Sequence, residues 1–310
     1  MTPRVARLRS LAKINLSLKV LDRRPDGYHE LRSVFQSISL GDRLDIAYTP
    51  GRRTKIAIDS TVNIEDNLVV RAAKAMLGEM RVAGEWEFRL DKRIPMGGGL
   101  GGGSSNAAAV LLAMPALAGK RVGMDALIRI GATLGSDVPF FLLGGTAIAL
   151  GRGTELYPLP DVRLGAGMVV APGIHVSTAE AYRCLGRELT SGDSSSILNT
   201  FQALAWDAVV GLGENDFESA VFQKHPQIGA IKDRLRRAGA KGALMSGSGS
   251  SVFGFFESAV DRDRALSSFD SEKVFPVSAV GRGRYRALWW RQLGEHLDGK
   301  QWPPLSRYAR

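Results

Sequence analysis

A glycine-rich run is the clearest chemical feature of this sequence. Residues 95–105 read PMGGGLGGGSS, and its six glycines leave backbone N–H groups bare of side chains. The run leads into an alanine-rich segment that predicts a helix, whose N-terminus would add N–H donors and a positive dipole. With the hydroxyls of Ser104 and Ser105 added, the pattern is typical of a polyphosphate cradle.

Other glycine-rich loops fit this run less well. A Walker A loop requires lysine directly before the serine, where this run has Gly103. The spacing satisfies a dinucleotide fingerprint in form, but any six-glycine run does, and Pro95 interrupts the strand that should lead into it. A protein-kinase loop should be followed by VAIK-like and HRD-like segments, and the sequence has neither. A flexible linker is the structural alternative.

Two residues far apart in the chain are the candidate catalytic charges. Lys13 and Asn15 alternate with apolar residues, so they share the polar face of a predicted strand. Asp137 lies in the short loop GSDVP, and a carboxylate near a hydroxyl can act as a general base. Each has an ordinary alternative: a solvated strand lysine for Lys13, and a helix N-cap for Asp137.

The elements that must position these residues alternate between strand and helix patterns. Strands are predicted at residues 14–20, 33–40, 43–48, 86–90, 146–150 and 167–171, with a strand–glycine turn–strand unit at 242–256. Helices are predicted at residues 65–77, 107–114, 125–134, 178–185, 197–210 and 227–238, and Gly78 is expected to end the first. This interleaving indicates two α+β or α/β units. The expected division is 1–155, 156–280 and a basic aromatic tail, 281–310.

Composition excludes several classes of protein. The chain has 310 residues, of which 45% are hydrophobic and 23% charged, so it is not intrinsically disordered. A single cysteine, Cys184, excludes a disulfide scaffold. The longest apolar run, residues 107–119, is too short to span a bilayer, and no signal peptide is visible. These features predict a soluble cytoplasmic protein.

The formal net charge of +10 raises nucleic acid or an anionic small molecule as a partner. The first ten residues contribute +3 and the last thirty contribute +5, which leaves +2 for residues 11–280. The charge therefore belongs mainly to the two ends. A nucleic-acid-binding protein is kept as the alternative from a different class, and its affinity should fall steeply with salt.

Five segments, in order, resemble the motifs of the GHMP kinases. They are AKINL at 12–16, RPDGYHEL at 24–31, the glycine run, GSDVPFF at 135–141 and MSGSGS at 245–250. The resemblance spans roughly residues 10–280 and implies a two-domain α+β fold. Its N-terminal domain is ribosomal-protein-S5-like, and its C-terminal domain is a ferredoxin-like α/β sandwich. Several motifs in the right order are far more specific than one.

The resemblance also implies an activity. It matches best those members that use ATP and Mg²⁺ to phosphorylate the 2-hydroxyl of 4-CDP-2-C-methyl-D-erythritol, in the non-mevalonate route to isoprenoid precursors. A sister kinase of homoserine or mevalonate is the alternative within the family. A catalytically inactive sensor is a third possibility, although the retention of Lys13 and Asp137 opposes it. The oligomeric state, monomer or homodimer, is left open, and no membrane or nucleic-acid partner is expected.

The resemblance assigns roles residue by residue. Asp137 is the implied base, Lys13 the cation that offsets developing charge, and Asn15 a ligand of the substrate diol. The residues implied to bind the cytosine end are Tyr28, His29, Thr178 and Tyr182. The residues implied to bind ATP are Asn67, Leu68, Lys92, Pro95, Met96, Gly97, Gly98, Gly99, Leu100, Gly101, Gly102, Gly103, Ser104 and Ser105. No Mg²⁺ ligand is named.

Overall fold

The computed structural model describes residues 2–23, 27, 29–185 and 212–309. The predicted helix at 197–210 and the predicted ligand Tyr28 lie outside the described residues. Two sheets, each covered by helices, make up the described part of the chain.

Six strands of the described residues form the first sheet, and the second strand along the chain pairs with three of the others. The order is β3-β4-β2-β5-β6, and β1 also pairs with β2. The strands are β1 (Arg4–Arg23), β2 (His29–Pro50), β3 (Lys55–Ser60), β4 (Gly84–Asp91), β5 (Thr146–Gly151) and β6 (Glu155–Pro158). The predicted domain boundary at residue 155 falls at the first residue of β6, which still pairs with β5.

One expectation about these strands and one of the alternatives are wrong. The strands predicted at 33–40 and 43–48 are one continuous strand, because β1 pairs directly with Gly41 and Asp42 across the expected break. The polar face of β1 is not solvated either: Lys13, Asn15 and Ser17 are all buried. The register between β1 and β2 shifts just before Lys13, and such irregularities re-aim a side chain.

Four helices pack on the first sheet: α1 (Leu68–Met80), α2 (Gly102–Ala118), α3 (Met124–Leu134) and α4 (Val138–Leu143). α1 passes through Gly78, which was expected to end it, because Met80 is buried in the core and Arg81 supplies the left-handed cap at φ 51°. α2 begins inside the glycine run, five residues before the predicted start at 107. α4 begins within the loop predicted at 135–139.

The second sheet is antiparallel and has the order β10-β7-β9-β8. Its strands are β7 (Ala166–Ala171), β8 (Gly242–Met245), β9 (Val252–Phe256) and β10 (Lys273–Val277), and the predicted strand–turn–strand unit is confirmed as β8 and β9. Its helices are α5 (Thr178–Leu185), α6 (Phe217–Lys224), α7 (Pro226–Arg237) and α8 (Ala259–Ala265). α5 matches its predicted range.

Strand β1 joins the two units. Apolar side chains of its middle portion, including Ile14 and Leu16, pack in one cluster with Val169 and Phe253 of the second sheet. The segment just before α6 runs alongside β1, where Gly213 N–H donates to the Leu16 carbonyl at 2.8 Å. The strand that carries Lys13 is therefore fixed from both sides.

The tail folds back on the first unit. It forms α9 (Arg282–Leu293), whose Tyr285 and Trp289 are buried in the first core, and Trp290 packs edge-on against Trp302. Packing, the expected alternative to a partner site, is therefore confirmed for this helix. None of the helices in the described ranges combines the length and apolarity that a membrane crossing needs.

Candidate active site

The two candidate catalytic charges meet. The Lys13 Nζ atom lies 3.6 Å from Asp137 Oδ2, although one residue sits in β1 and the other at the start of α4. Only 5% of the Lys13 side chain is exposed, against 27% for Asp137. A buried ammonium needs partners, so the alternative of a solvated strand lysine is wrong. A cation and a carboxylate at this distance can handle a hydroxyl proton and an anionic phosphate together.

Hydrogen bonds hold the Lys13 side chain in place. Its ammonium donates to Asn15 Oδ1 at 2.6 Å, and the Asn15 amide donates in turn to Ser33 Oγ at 2.8 Å. The Ser33 hydroxyl then donates to the carbonyl of Ser17 at 2.7 Å. The chain of bonds runs from β1 to β2 and back, so Asn15 is oriented by the sheet as well as by the lysine.

Asp137 occupies the N-cap position of α4, as the structural alternative required. Its side chain, however, accepts no capping hydrogen bond among the described residues, and Pro139 lies at the second position of the helix. The backbone therefore begins a helix at Asp137, while the carboxylate stays available to Lys13 and to a ligand.

The glycine run forms a packed loop against this pair. Gly97, Gly99 and Gly101 have φ between 65° and 73°, a region that favours glycine. The Lys13 N–H donates to the Leu100 carbonyl at 3.0 Å, and α2 begins at Gly102. The linker alternative is wrong, because the loop is bonded to β1 and continues directly into a buried helix.

The second unit closes over the loop. The Ser246 hydroxyl donates to the Gly99 carbonyl at 2.9 Å, and Ser251 N–H donates to the Gly98 carbonyl at 3.2 Å. A Cβ placed on Gly247 would lie 3.5 Å from Lys13 Nζ. The glycine turn between β8 and β9 therefore packs on the candidate phosphate loop and beside Lys13.

A buried asparagine, which the sequence did not single out, fixes that turn. The Asn215 amide donates to the carbonyls of Met245 and Gly247, both at 2.8 Å, and its Oδ1 accepts from Phe217 N–H. Asn215 also bridges to Leu18 of β1. An asparagine just before a helix predicts a cap, but no local pattern predicts a bond to a turn thirty residues later.

A cavity lies along the outer side of the glycine loop. Asn67 begins α1 there and accepts from Val69 N–H at 3.0 Å, which is its ordinary capping role. The residues that line the cavity include Asn67, Leu68, Lys92, Asn106 and residues 95–104. Of the residues expected to bind ATP, Ser105 alone is not in the lining; its buried hydroxyl has no hydrogen-bond partner in the described part of the chain.

Two of the residues expected to bind the cytosine end, His29 and Tyr182, are in contact. The rings of His29 and Tyr182 stack at 4.9 Å and 15°, and Phe217 meets Tyr182 edge-on. The Thr178 hydroxyl lies 3.0 Å from that of Ser248. Burial, and secondly the charge of Asp137, raise the pKa of Tyr182 to about 12, so this ring is neutral at physiological pH and suited to stacking.

A glycine loop at a helix start, a lysine–aspartate pair beside it and a pair of stacked aromatic rings are features that a phosphoryl-transfer site requires. Profiles of the GHMP kinases N terminal domain and the GHMP kinases C terminal region match residues 67–145 and 202–274. The chain is 54% identical to the 4-diphosphocytidyl-2-C-methyl-D-erythritol kinase of Solibacter usitatus (strain Ellin6076), covering 99% of both chains. The chain belongs to the GHMP kinase family.

Solved structures agree with this assignment. A crystal structure of 4-(cytidine 5'-diphospho)-2C-methyl-D-erythritol kinase superposes with a TM-score of 0.75 at 37% identity, over 89% of this chain and 99% of that one. A homoserine kinase from Cytophaga hutchinsonii superposes with a TM-score of 0.68 at 19% identity, over 90% and 95%, which bears on the fold alone. The predicted two-domain α+β fold is confirmed. The likeness to the Solibacter protein extends past residue 280 into the tail.

Proposed function

We propose that this protein transfers the γ-phosphoryl group of ATP to the 2-hydroxyl of 4-CDP-2-C-methyl-D-erythritol, giving the 2-phosphate and ADP. The observation that carries the proposal is the Lys13–Asp137 pair, which lies at 3.6 Å beside the glycine loop. The 54% identity to a relative with that name supports the choice of substrate.

Each residue of the pair has a task in the transfer. The substrate hydroxyl oxygen attacks the γ-phosphorus, the bond to the β–γ bridging oxygen breaks, and the hydroxyl proton passes to the Asp137 carboxylate. The Lys13 ammonium faces the same carboxylate at 3.6 Å and offsets charge on the transferring group. Asn15, bonded to Lys13 and Ser33, orients the substrate diol.

The glycine loop and the cavity beside it would hold ATP. Backbone N–H groups of the loop and the start of α2 suit the phosphates, and Asn67 and Leu68 lie where the base would sit. A side chain at Gly99 would overlap the Ser246 carbonyl, so the turn of the second unit packs too closely on the loop for any residue larger than glycine. These features fit a nucleotide.

Mg²⁺ would be bound together with the nucleotide. The described residues contain no cluster of three or more His, Cys, Asp or Glu side chains placed to hold a metal ion. Mg²⁺ commonly keeps several waters and binds through substrate phosphates and one or two protein ligands, so the nucleotide phosphates would be its main ligands. When bound, the ion would neutralise charge on the phosphates.

The aromatic pocket separates this substrate from those of sister kinases. The rings of His29 and Tyr182 stack on each other, and a cytosine base could extend that stack; stacking contributes about 1–3 kcal/mol per base in nucleic-acid binders. Tyr28 and Thr178 are the other two residues that we propose bind the cytosine. Homoserine and mevalonate have no aromatic base, so this pocket would contribute nothing to their binding.

We further propose that the protein works in the cytoplasm on this small molecule, without a nucleic-acid or membrane partner. The near-neutral charge of residues 11–280 supports this, because the kinase residues lie there and the basic residues concentrate at the ends. Filter binding of duplex and single-stranded DNA and RNA at two salt concentrations tests it; tight, strongly salt-dependent retention would oppose it.

The substrate is tested by a panel assay with purified protein, ATP and Mg²⁺. CDP-methylerythritol, homoserine and mevalonate are offered in parallel, and ADP release and phosphorylated product are both measured. We expect ADP and product with CDP-methylerythritol alone. Turnover of homoserine or mevalonate in its place would move the protein to a sister activity, and turnover of none would favour an inactive sensor.

A further inference from the structure

A fully buried carboxylate lies beneath the glycine loop, and nothing in the proposed chemistry uses it. Asp42, in the middle of β2, has 0% of its side chain exposed. Its Oδ1 accepts from the N–H groups of Arg93 and Ile94 at 2.7 and 2.8 Å. Its Oδ2 accepts from the Asn106 amide at 3.0 Å and from the Lys92 ammonium. A buried charge is tolerated only when it is satisfied in this way.

The partners of Asp42 stand at both ends of the loop. Arg93 and Ile94 lead directly into Pro95, where the glycine run starts, and Asn106 lies early in α2, just after the run ends. The Asn106 amide also donates to Ser10 Oγ of β1 at 2.6 Å. One carboxylate therefore ties the entrance and the exit of the loop to the sheet.

The Asp42 carboxylate also holds the Lys92 ammonium at the cavity beside the glycine loop. Lys92 lines that cavity, yet only 5% of its side chain is exposed, because its ammonium is held by Asp42 and by Asn106 Oδ1 at 3.1 Å. A Cβ on Gly102 would lie 3.0 Å from Lys92 Nζ. The ammonium is thus fixed directly under the second glycine triplet.

We propose that Asp42 is a positioning residue for ATP: it sets the loop ends and the Lys92 ammonium in the geometry that binds the nucleotide phosphates. This rests on the proposed function only in taking ATP as the loop's ligand. The substrate pocket at His29 and Tyr182 shares no hydrogen bond with the Asp42 network in the described residues. Loss of Asp42 therefore weakens ATP binding selectively, whereas a merely structural ion pair would lower stability without favouring one substrate.

The test is Asp42→Asn. The amide oxygen of the variant can still accept from Arg93 and Ile94, but its NH₂ faces the Lys92 and Asn106 donors, so the ammonium and the loop lose their anchor. We expect the KM for ATP to rise by about 10- to 100-fold, the range expected for displaced binding groups, with the KM for CDP-methylerythritol unchanged. The dissociation constant of mant-ATP, measured by fluorescence, should rise in parallel.

Two further variants make the result decisive. Asp45→Asn is the matched control, because Asp45 lies three residues along the same strand and pairs only with the exposed Arg43 at 2.9 Å among its described neighbours; both KM values should stay at wild type. The double variant Asp42→Asn/Lys92→Met removes both buried charges and keeps the test valid if the single variant fails to fold. Its mant-ATP affinity should match that of Lys92→Met alone, since the two residues act as one unit.

Wild-type mant-ATP affinity in Asp42→Asn, or in the double variant if only that one folds, would overturn the proposal. Equal losses for both substrates would do the same. Because mant-ATP binding needs no phosphate acceptor, this outcome is independent of whether CDP-methylerythritol is the substrate. A failure of the substrate panel leaves the mant-ATP comparison intact.

Discussion

Lys13 and Asp137 form an ion pair at 3.6 Å in which the lysine is buried and the aspartate partly exposed. The asymmetry matters, because the cation is fixed by Asn15 and the sheet while the carboxylate still reaches the space where a ligand would lie. A base must be accessible to its substrate, and a charge that stabilises a transferring phosphate works best when it is fixed in advance.

Lys13→Met should lower kcat by about 10²- to 10³-fold, the usual effect of losing one preorganised group that stabilises transition-state charge. The matched control is Lys19→Met, six residues along the same strand, where the lysine is partly exposed and pairs with Glu214 and Asp216. Steady-state kinetics at saturating substrates should show a loss in the first variant only. Equal kcat values for the two variants would remove Lys13 from the chemistry.

Gly99→Ala should destabilise the protein and abolish measurable ATP binding. A Cβ there would overlap the Ser246 carbonyl, and the φ of 73° is itself unfavourable for alanine. Gly78→Ala is the control: it lies inside α1, no atom of the described residues is within 4 Å of its would-be Cβ, and it should stabilise by about 0.5–1 kcal/mol. Thermal melts and mant-ATP titrations measure both; unchanged binding in Gly99→Ala would contradict the loop assignment.

The sequence predicted the local elements well where one pattern dominated. The alternation of Trp86, Phe88 and Leu90 and the helical spacing of 178–185 both appear as predicted. The glycine run, Lys13 and Asp137 could be assigned to one site through the resemblance, because each keeps a recognisable motif. The break predicted between residues 40 and 43 is wrong, because Gly41 permits the close approach of Leu11 and Ser10 of β1 instead of forming a turn.

Asn215→Ala should destabilise the fold by about 1–3 kcal/mol, because two buried carbonyls lose their donor. Gly247 lies beside Lys13 and Gly99, so a looser turn should also reduce kcat/KM. Asn63→Ala, at an exposed position, is the control and should change neither property. Urea unfolding and kinetics measure the two effects, and wild-type stability in Asn215→Ala would show that the turn is held by other contacts.

Tyr182→Phe should reduce the loss of folding stability that the protein shows as the pH rises above 10. An unfolded tyrosine ionises near pH 10, whereas the folded-state pKa of Tyr182 is raised to about 12 by burial and then by Asp137. The folded state therefore keeps a proton that the unfolded state releases, so this contribution is complete below pH 10 and is lost as pH rises to 12. At pH 11 the loss is about 1.4 kcal/mol.

Urea unfolding at pH 8 and pH 11 measures that difference. The wild type should lose more stability than Tyr182→Phe between the two values, since other buried tyrosines such as Tyr285 are common to both proteins and cancel. Identical pH profiles would mean that the Tyr182 hydroxyl is hydrated in the folded protein.

Contacts between residues that are far apart in the chain could not be predicted from the sequence. Asp42 and Lys92 each resemble an ordinary strand-end charge, and Asn215 resembles a helix cap. Their partners lie on other elements, so only tertiary structure brings them together: Asp42 with Asn106, and Asn215 with Gly247. Local patterns report propensity and exposure, whereas a buried polar network is decided by where separate elements meet.

A single-turnover experiment asks whether the Lys13–Asp137 pair drives phosphoryl transfer to a CDP-linked alcohol. It uses γ-³²P-labelled ATP, Mg²⁺ and CDP-methylerythritol, with wild type and Asp137→Asn in parallel. The wild type should form labelled product, and the variant should bind both substrates yet transfer the label about 10²- to 10⁴-fold more slowly. Failure of the wild type to label CDP-methylerythritol, or equal rates in the two proteins, would show that this pair does not carry out the transfer.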